Sequence, residues 1–543
     1  MKHKLSIKKS EELIKKENSQ KANASDRSKS GFHIDFMPKL FKLPDFKDTD
    51  KTKINVKYPL LPPYAYAHIF WDNKNKEILY FVDEPLLNDT EKDLLHLVRL
   101  GLEEMINISF IKAVKSALVM EYLERNVQSI LLELGTSVSK ETYNKIMYYI
   151  YRNSAGLNQI DPLLKDYYIE DIECNGIDFP LYIVHRKYGN LKTNVIFETE
   201  EALTDFVEKL AQKCGRYVSY ANPILDGSLP DGSRINATYT SDITTRGPTF
   251  TIRKFTKEPW TPINLLSFNT ASAEAFAFLW LVIENKMNIM TIGETASGKT
   301  TFLNTIAHFI PPESRVCSIE DTREIALAHI NWLPSVTREG FGMPNVSGRT
   351  GEITLFNLLR ETFRQNPDYV ILGETRGEET YVLFQGMASG HPSLATFHAG
   401  SVETFIRRLE TPPIKLPASL VESLDVICVT THIKTPEKNI RRVVGIQEIE
   451  EVQEKIGAVK YNQLFEWNPV KDTFASFGKS IVLQEISKRT GIPYKSLVKE
   501  LRRRANLLNV LRKKGVTNLK EFNVIINEYY KNPVDVRKQF NIK

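Results

Sequence analysis

One octapeptide, GETASGKT at 293–300, constrains this chain more than any other feature, because few backbone conformations and few neighbours suit it. It follows the apolar run MNIMTIG (287–293) and opens a helical pattern from Lys299, so it reads as strand, loop, helix. Gly293 and Gly298 allow backbone angles that a β-carbon opposes, so successive N–H groups can surround an anion. Lys299 supplies an ammonium for β- and γ-phosphates and Thr300 a hydroxyl for magnesium, while the helix start favours negative charge. Gly293, Glu294, Thr295, Ala296, Ser297, Gly298, Lys299, Thr300 and Thr301 are therefore read as a nucleoside triphosphate cradle.

The surroundings fit that loop. A helical pattern runs from Ser272 through Asn285, and further ones cover 354–365 and 378–389. Between them lie the buried-type runs SRVCSIED (314–321), DYVILGE (368–374) and SLATFHA (393–399). Alternation of this kind predicts an α/β fold with a parallel, doubly wound sheet over 263–470. Upstream, residues 54–258 mix strands and helices as an α+β domain. Within it, IFWDNKNKEILYFVDEP (69–85) predicts a hairpin, and helices are expected at 89–134, 140–152 and 200–214. Pro259 and Pro262 flank the expected linker. Residues 1–53, rich in Lys, Ser, Asn and Asp, are expected to be a basic mobile arm with a short amphipathic piece at 36–41. Residues 471–543 read as a helical region.

Bulk properties narrow the class. A length of 543 residues allows three or four domains, and a net charge of +6 permits an anionic surface without demanding nucleic acid. Residues 2–21 contain no apolar core of a secretory signal, and the apolar run 275–283 is too short to span a bilayer. A cytoplasmic protein with at most a peripheral membrane role is expected. Cys174, Cys214, Cys317 and Cys428 are too dispersed for a disulfide framework or a structural zinc site.

Acidic residues end the predicted strands. Ligands of an open α/β sheet sit beyond the carboxyl ends of its strands, which is where SIEDTRE (318–324) places Glu320 and Asp321. PDYVILGETRGEE (367–379) ends its strand with Glu374, but Gly373 stands where the usual magnesium-binding Asp would be. Glu374 is assigned to the metal or the attacking water, Glu320 as its partner, and Asp321 to magnesium, with the division between them left open. Solvated loop carboxylates are the plainer alternative for Glu320 and Asp321. GHPSLATFHAG (390–400) adds His391 and His398, whose imidazoles can donate to a γ-phosphate.

In this order, GETASGKT, SIEDTRE, PDYVILGETRGEE and GHPSLATFHAG resemble the Walker A, Asp box, atypical Walker B and His box of type II/type IV secretion ATPases. The resemblance covers about residues 55–435 and is nearest the archaeal pilus-assembly, secretion and archaellum motors. YPLLPPYAYAHIFW (58–71) is similar to the N-terminal domain of that branch. The resemblance implies a RecA-like core, ATP and Mg2+ as cofactors, and a homo-hexamer on the cytoplasmic face of the membrane. It further implies a polytopic platform protein as partner, and assigns N-terminal-domain arginines to the γ-phosphate. By motif these are Arg234 in LPDGSR, and Arg246 and Arg253 in TRGPTFTIRKF; Arg360 and Arg364 could instead serve a subunit interface.

The competing reading is a nucleic-acid-binding or translocating ATPase, drawn from the Arg502, Arg503 and Arg504 run, the 512–514 basic cluster and a helix-turn-helix look at 480–515. Base-reading side chains are not evident there, and basic helical faces are ordinarily solvated, so nucleic acid is not an expected partner.

Overall fold

Alternation in AYAHIFWD buries Ala65, Ala67 and Ile69 on one face and makes this segment a strand. The described residues of the computed structural model are 32–36, 41, 43–44, 48–105, 116–255, 259–338, 340–345, 348–434, 439–453 and 458–542. They divide into two compact units, Met1–Lys254 and Phe255–Lys543.

The first unit holds β1 (Asn55–Leu61), β2 (Ala65–Asp72), β3 (Glu77–Asp83), β4 (Ile169–Cys174), β5 (Pro180–His185), β6 (Gly189–Ile196), β7 (Ile224–Ser228), β8 (Arg234–Thr238) and β9 (Thr249–Arg253). They form one sheet in the order β1-β2-β3-β6-β5-β4-β9-β8-β7, antiparallel except where β3 meets β6. The expected hairpin is β2–β3, its turn held by the Asp72 carboxylate accepting from Lys74 N–H at 2.9 Å and Asn75 Nδ2 at 2.8 Å. Helix Glu200–Lys213 is capped by Thr199 and packs Phe206 against Phe197 and Phe250. The single helical run expected over 89–134 is seen as Asp89–Met105 and Ser116–Glu133, with 106–115 outside the described residues.

Some of the described residues before 54 are packed. Ile34 and Leu43 are buried, Phe32 stacks on Tyr64 at 5.2 Å, and Asp35 N–H donates to the Pro62 carbonyl. Tyr168 and Tyr188 donate their hydroxyls to the Phe41 and Pro44 carbonyls. The apolar residues there are too sparse to form a core of their own, but they fit an aromatic surface that a local reading cannot see. Part of the amphipathic piece, 37–40, and the linker residues 256–258 lie outside the described residues, as do 1–31.

The second unit is built on β10 (Ile289–Gly293), β11 (Val316–Glu320), β12 (Trp332–Val336), β13 (Phe341–Asn345), β14 (Gly348–Thr350), β15 (Tyr369–Thr375), β16 (Ser393–His398), β17 (Val426–Lys434), β18 (Asn439–Val452), β19 (Val459–Asn468) and β20 (Thr473–Ser476). The main sheet runs β12-β11-β15-β16-β10-β17-β18-β19-β20. Its first six strands are parallel and its last three join antiparallel, so the sheet continues to Ser476, past the residue 470 chosen from sequence. Strand β16 sits between the P-loop strand β10 and the acidic strand β15, as in a RecA-like core. Helix Ala273–Glu284 is apolar and buried all round over residues 275–283, with Glu274 exposed near its start. The C-terminal helix Tyr494–Lys514 covers it, and Leu497, Leu507, Leu508 and Leu511 are buried.

Among the described residues no helix is long and apolar enough to cross a membrane. The basic run 502–504 is not one exposed face: Arg504 is buried, 4.6 Å over the Trp280 ring and paired with Glu284 and Glu500. This removes one of the cations on which a phosphate-binding reading of that helix relied.

Candidate nucleotide site

Parallel register brings the separated motifs to one edge. Gly293 at the end of β10 lies opposite His398 at the end of β16, and Leu372 near the end of β15 lies opposite Ala395. Helix Lys299–Ala307 then starts directly after Gly298, whose φ of 91° is left-handed and costs glycine little. A β-carbon at Gly293 would overlap the hydroxyl oxygens of Thr430 and Ser297. The two glycines thus perform the separate tasks of close approach and reversed backbone.

Lys299 is buried and donates to the Glu294 carbonyl at 2.9 Å. Its Nζ also lies 3.3 Å from His398 Nδ1, and His398 Nε2 lies 3.0 Å from Glu374 Oε1. An ammonium has only protons to offer, so Nδ1 accepts and the ring proton sits on Nε2, on the side of the Glu374 carboxylate. Burial and the adjacent Lys299 charge hold the His398 pKa below its usual value, which keeps that imidazole neutral. Burial likewise lowers the Lys299 pKa. Lys299, His398 and Glu374 therefore form one chain of close polar contacts that joins the start of the helix after the loop to the ends of β16 and β15.

Glu320 occupies a different setting. It is buried, with Oε1 accepting from the Glu324 and Ile325 N–H groups at 2.8 Å each, while Oε2 has no partner among the described residues. Burial pushes its carboxyl up to about 7. A β-carbon at Gly373 would stand 3.0 Å from Glu320 Cγ. The missing Asp of β15 thus has a physical reason: the neighbouring strand's glutamate fills that space. Asp321, by contrast, accepts from Arg376 Nη2 at 2.8 Å and Thr337 Oγ1 at 3.3 Å. Glu379 fixes the turn beyond β15 by accepting from the Arg376 and Gly377 N–H groups at 2.7 Å each.

His391 does not join the site. It precedes β16 and packs on Phe363 at 4.9 Å, at the opposite end of the strand from His398. Among the arginines, Arg234 and Arg253 are register partners on β8 and β9, paired with Asp226 at 3.1 Å and Asp171 at 3.3 Å. Arg246 instead lies 4.6 Å over the Phe179 ring. Arg360 covers Phe356, and Arg364 stays near Glu361.

Two residues in contact with the loop had no sequence signal. Thr430 on β17 bonds Ser297 Oγ at 2.9 Å and donates to the Ile292 carbonyl at 3.0 Å, and Arg441 on β18 donates from Nε to the Ala296 carbonyl at 3.0 Å. Both lie more than a hundred residues downstream, in ordinary strand sequence.

The cradle suits a polyphosphate: its glycine positions tolerate no side chain, and Lys299 already stands in the loop. Among the described residues, no group of three or more His, Cys, Asp or Glu is arranged to hold a metal. Magnesium held largely by phosphate and water needs no such cage.

The sequence model for the family described as type II/IV secretion system protein matches residues 156–463, and one described as PilB3-like, C-terminal matches 470–542. The uncharacterized protein MJ0900 of Methanocaldococcus jannaschii is 36% identical over 500 residues, covering 88% of this chain and 89% of its own. The type IV secretion system protein PtlH of Bordetella pertussis is 29% identical over 272 residues, covering 44% and 78% respectively. The crystal structure of the VirB11 ATPase from the Brucella suis type IV secretion system aligns with a TM-score of 0.28 and 24% identity, over 53% of this chain and 94% of its own. With more than half its length matched by the first of these models, the chain belongs to the type II/IV secretion system protein family.

Proposed function

We propose that this chain is an ATPase that powers a pilus-like or type II-like secretion machine, working as a homo-hexamer against a polytopic membrane platform protein at the cytoplasmic face. The observation that carries the reading is the Lys299–His398–Glu374 chain at the carboxyl edge of the sheet. It joins a phosphate-binding ammonium to a carboxylate through a neutral imidazole, so charge at the phosphates and proton affinity at Glu374 are coupled. Thr300, Glu374 and Asp321 are the residues that would hold magnesium, which when bound would supply neutralisation of phosphate charge.

The loop amides and Lys299 bind and orient the polyphosphate. Glu374, half-exposed, accepts a proton from water or orients it, and Glu320 lends a second carboxyl from the adjacent strand. Arg234 and Arg253 of the N-terminal unit, with Arg246, are offered to the γ-phosphate, where an arginine contributes about 10³ to 10⁵ in rate in related phosphoryl-transfer enzymes. Opening and closing of the units on nucleotide would then supply mechanical work.

The test is turnover by the purified protein. Lys299→Ala is expected to abolish ATP hydrolysis while leaving the thermal melt unchanged, since the loop backbone needs no lysine to fold. Hydrolysis at the parent rate in that variant would end the assignment.

A further inference from the structure

Ala296 sits in the P-loop at φ 60°, a left-handed conformation that an alanine adopts only at a cost. Within the octapeptide Lys299 Nζ and the Ser297 N–H both donate to the Glu294 carbonyl, and neither reaches the carbonyl of Ala296. The compensating contacts come from the β17–β18 ribbon. Thr430 Oγ1 reaches Ser297 Oγ, and Arg441 Nε donates to the carbonyl of Ala296 itself. The Arg441 side chain also passes over Gly298, where an added β-carbon would lie 3.2 Å from Arg441 Cδ. An arginine stem and head thus cover the two left-handed residues of the loop, Ala296 and Gly298.

We infer that Arg441 is a positioning residue for nucleotide binding, holding the P-loop in its phosphate-ready shape before nucleotide arrives. The inference rests on the reading of 293–301 as the nucleotide cradle and adds a residue that no motif contains. Its energetic logic is that of a fractionally populated binding-competent state. When the loop is pre-shaped, nucleotide meets its full intrinsic affinity; when it is not, apparent affinity falls in proportion to the shaped fraction. Chemistry in the bound state is untouched, because bound phosphate itself then holds the loop. Arg441 should therefore govern KM and nucleotide Kd far more than kcat.

Full-length Arg441→Ala, checked for an unchanged melt, is expected to bind a fluorescent ADP analogue about tenfold more weakly, with KM for ATP raised alike and kcat within about twofold, the scale of one charge-assisted hydrogen bond. Arg441→Lys keeps the charge but not the Nε donor, and should not restore affinity. Ala296→Gly removes the conformational cost, so in that background loss of Arg441 should weaken binding by no more than about threefold. Several results would overturn the inference: unchanged affinity in Arg441→Ala, a kcat loss without an affinity change, full rescue by lysine, or the same tenfold penalty in both backgrounds. The nucleotide-site reading fails separately, if the parent protein binds no ADP analogue at all.

Discussion

His308 caps the helix that begins at Lys299, is buried, and has neither ring nitrogen hydrogen-bonded among the described residues. Burial first, then the neighbouring His329, drives its pKa down to about 3. A folded pKa below the unfolded one means the folded state resists protonation. The stability this gives is complete above the ordinary histidine value near 6.5 and is lost as pH falls from there toward 3. At pH 5 the group alone should cost about 2 kcal/mol. His308→Leu, of similar volume, is expected to be as stable as the parent or more so at pH 8, and to gain on it by about that amount at pH 5 in urea titrations. Parallel pH profiles of the two proteins would show that His308 is not the acid-sensitive group. At the same scale, Gly373 shows what a motif conceals. Its departure from the usual Asp is visible in the sequence, but its cause, the Glu320 side chain packed 3.0 Å from where a β-carbon would stand, requires the β11–β15 pairing.

Elements were readable in proportion to how local their signals are. The strand–loop–helix at 287–307, strands β15 and β16 and helix Glu200–Lys213 all follow from periodicity and caps within a short window. The Lys299–His398–Glu374 chain was readable as residues but not as a chain, because parallel register decides which strand ends meet. Arg441 and Thr430 were not readable, since an exposed strand arginine and a strand threonine carry no pattern. The same holds for the last helices. Arg504 on helix Tyr494–Lys514 reads as part of a basic run, yet it lies over Trp280 and pairs with Glu284 and Glu500, while Tyr529 donates to Glu500 at 2.6 Å. Trp280 donates to Tyr530 at 2.9 Å and stacks on Phe309, joining the C-terminal helices to the end of the P-loop helix. Truncating one partner of a buried ion pair typically costs about 3 to 5 kcal/mol. Arg504→Ala should lose stability on that scale by chemical denaturation, and Arg504→Met distinctly less, because Met retains the packing on Trp280. A change below about 0.5 kcal/mol in the alanine variant would return Arg504 to the solvated face that the sequence suggests.

For the whole molecule, the question is whether an N-terminal unit built on a mostly antiparallel sheet takes part in the chemistry proposed for the parallel one. The proposal gives that part to Arg234 and Arg253, which β8–β9 pairing sets side by side with half-exposed or exposed guanidinium groups. Their acidic partners, Asp226 and Asp171, hold them only through surface pairs, which are weak enough to exchange for phosphate. If they act on the γ-phosphate, their loss should leave ADP binding intact, because that phosphate is absent from ADP. Arg234→Ala and Arg253→Ala are each expected to bind ADP within about twofold of the parent and to slow single-turnover hydrolysis by at least 10³-fold, the lower end for an arginine finger. Arg246→Ala, whose side chain already rests on Phe179, should fall between them and the parent. In a ring the arginine and the nucleotide can belong to different subunits. Mixing Arg234→Ala with Lys299→Ala, each silent alone, then tells the cases apart: recovered turnover places the arginine in trans, and none places it in cis. Single-turnover rates at the parent value in both arginine variants would remove the N-terminal unit from the chemistry and leave hydrolysis to the carboxyl edge of the core sheet.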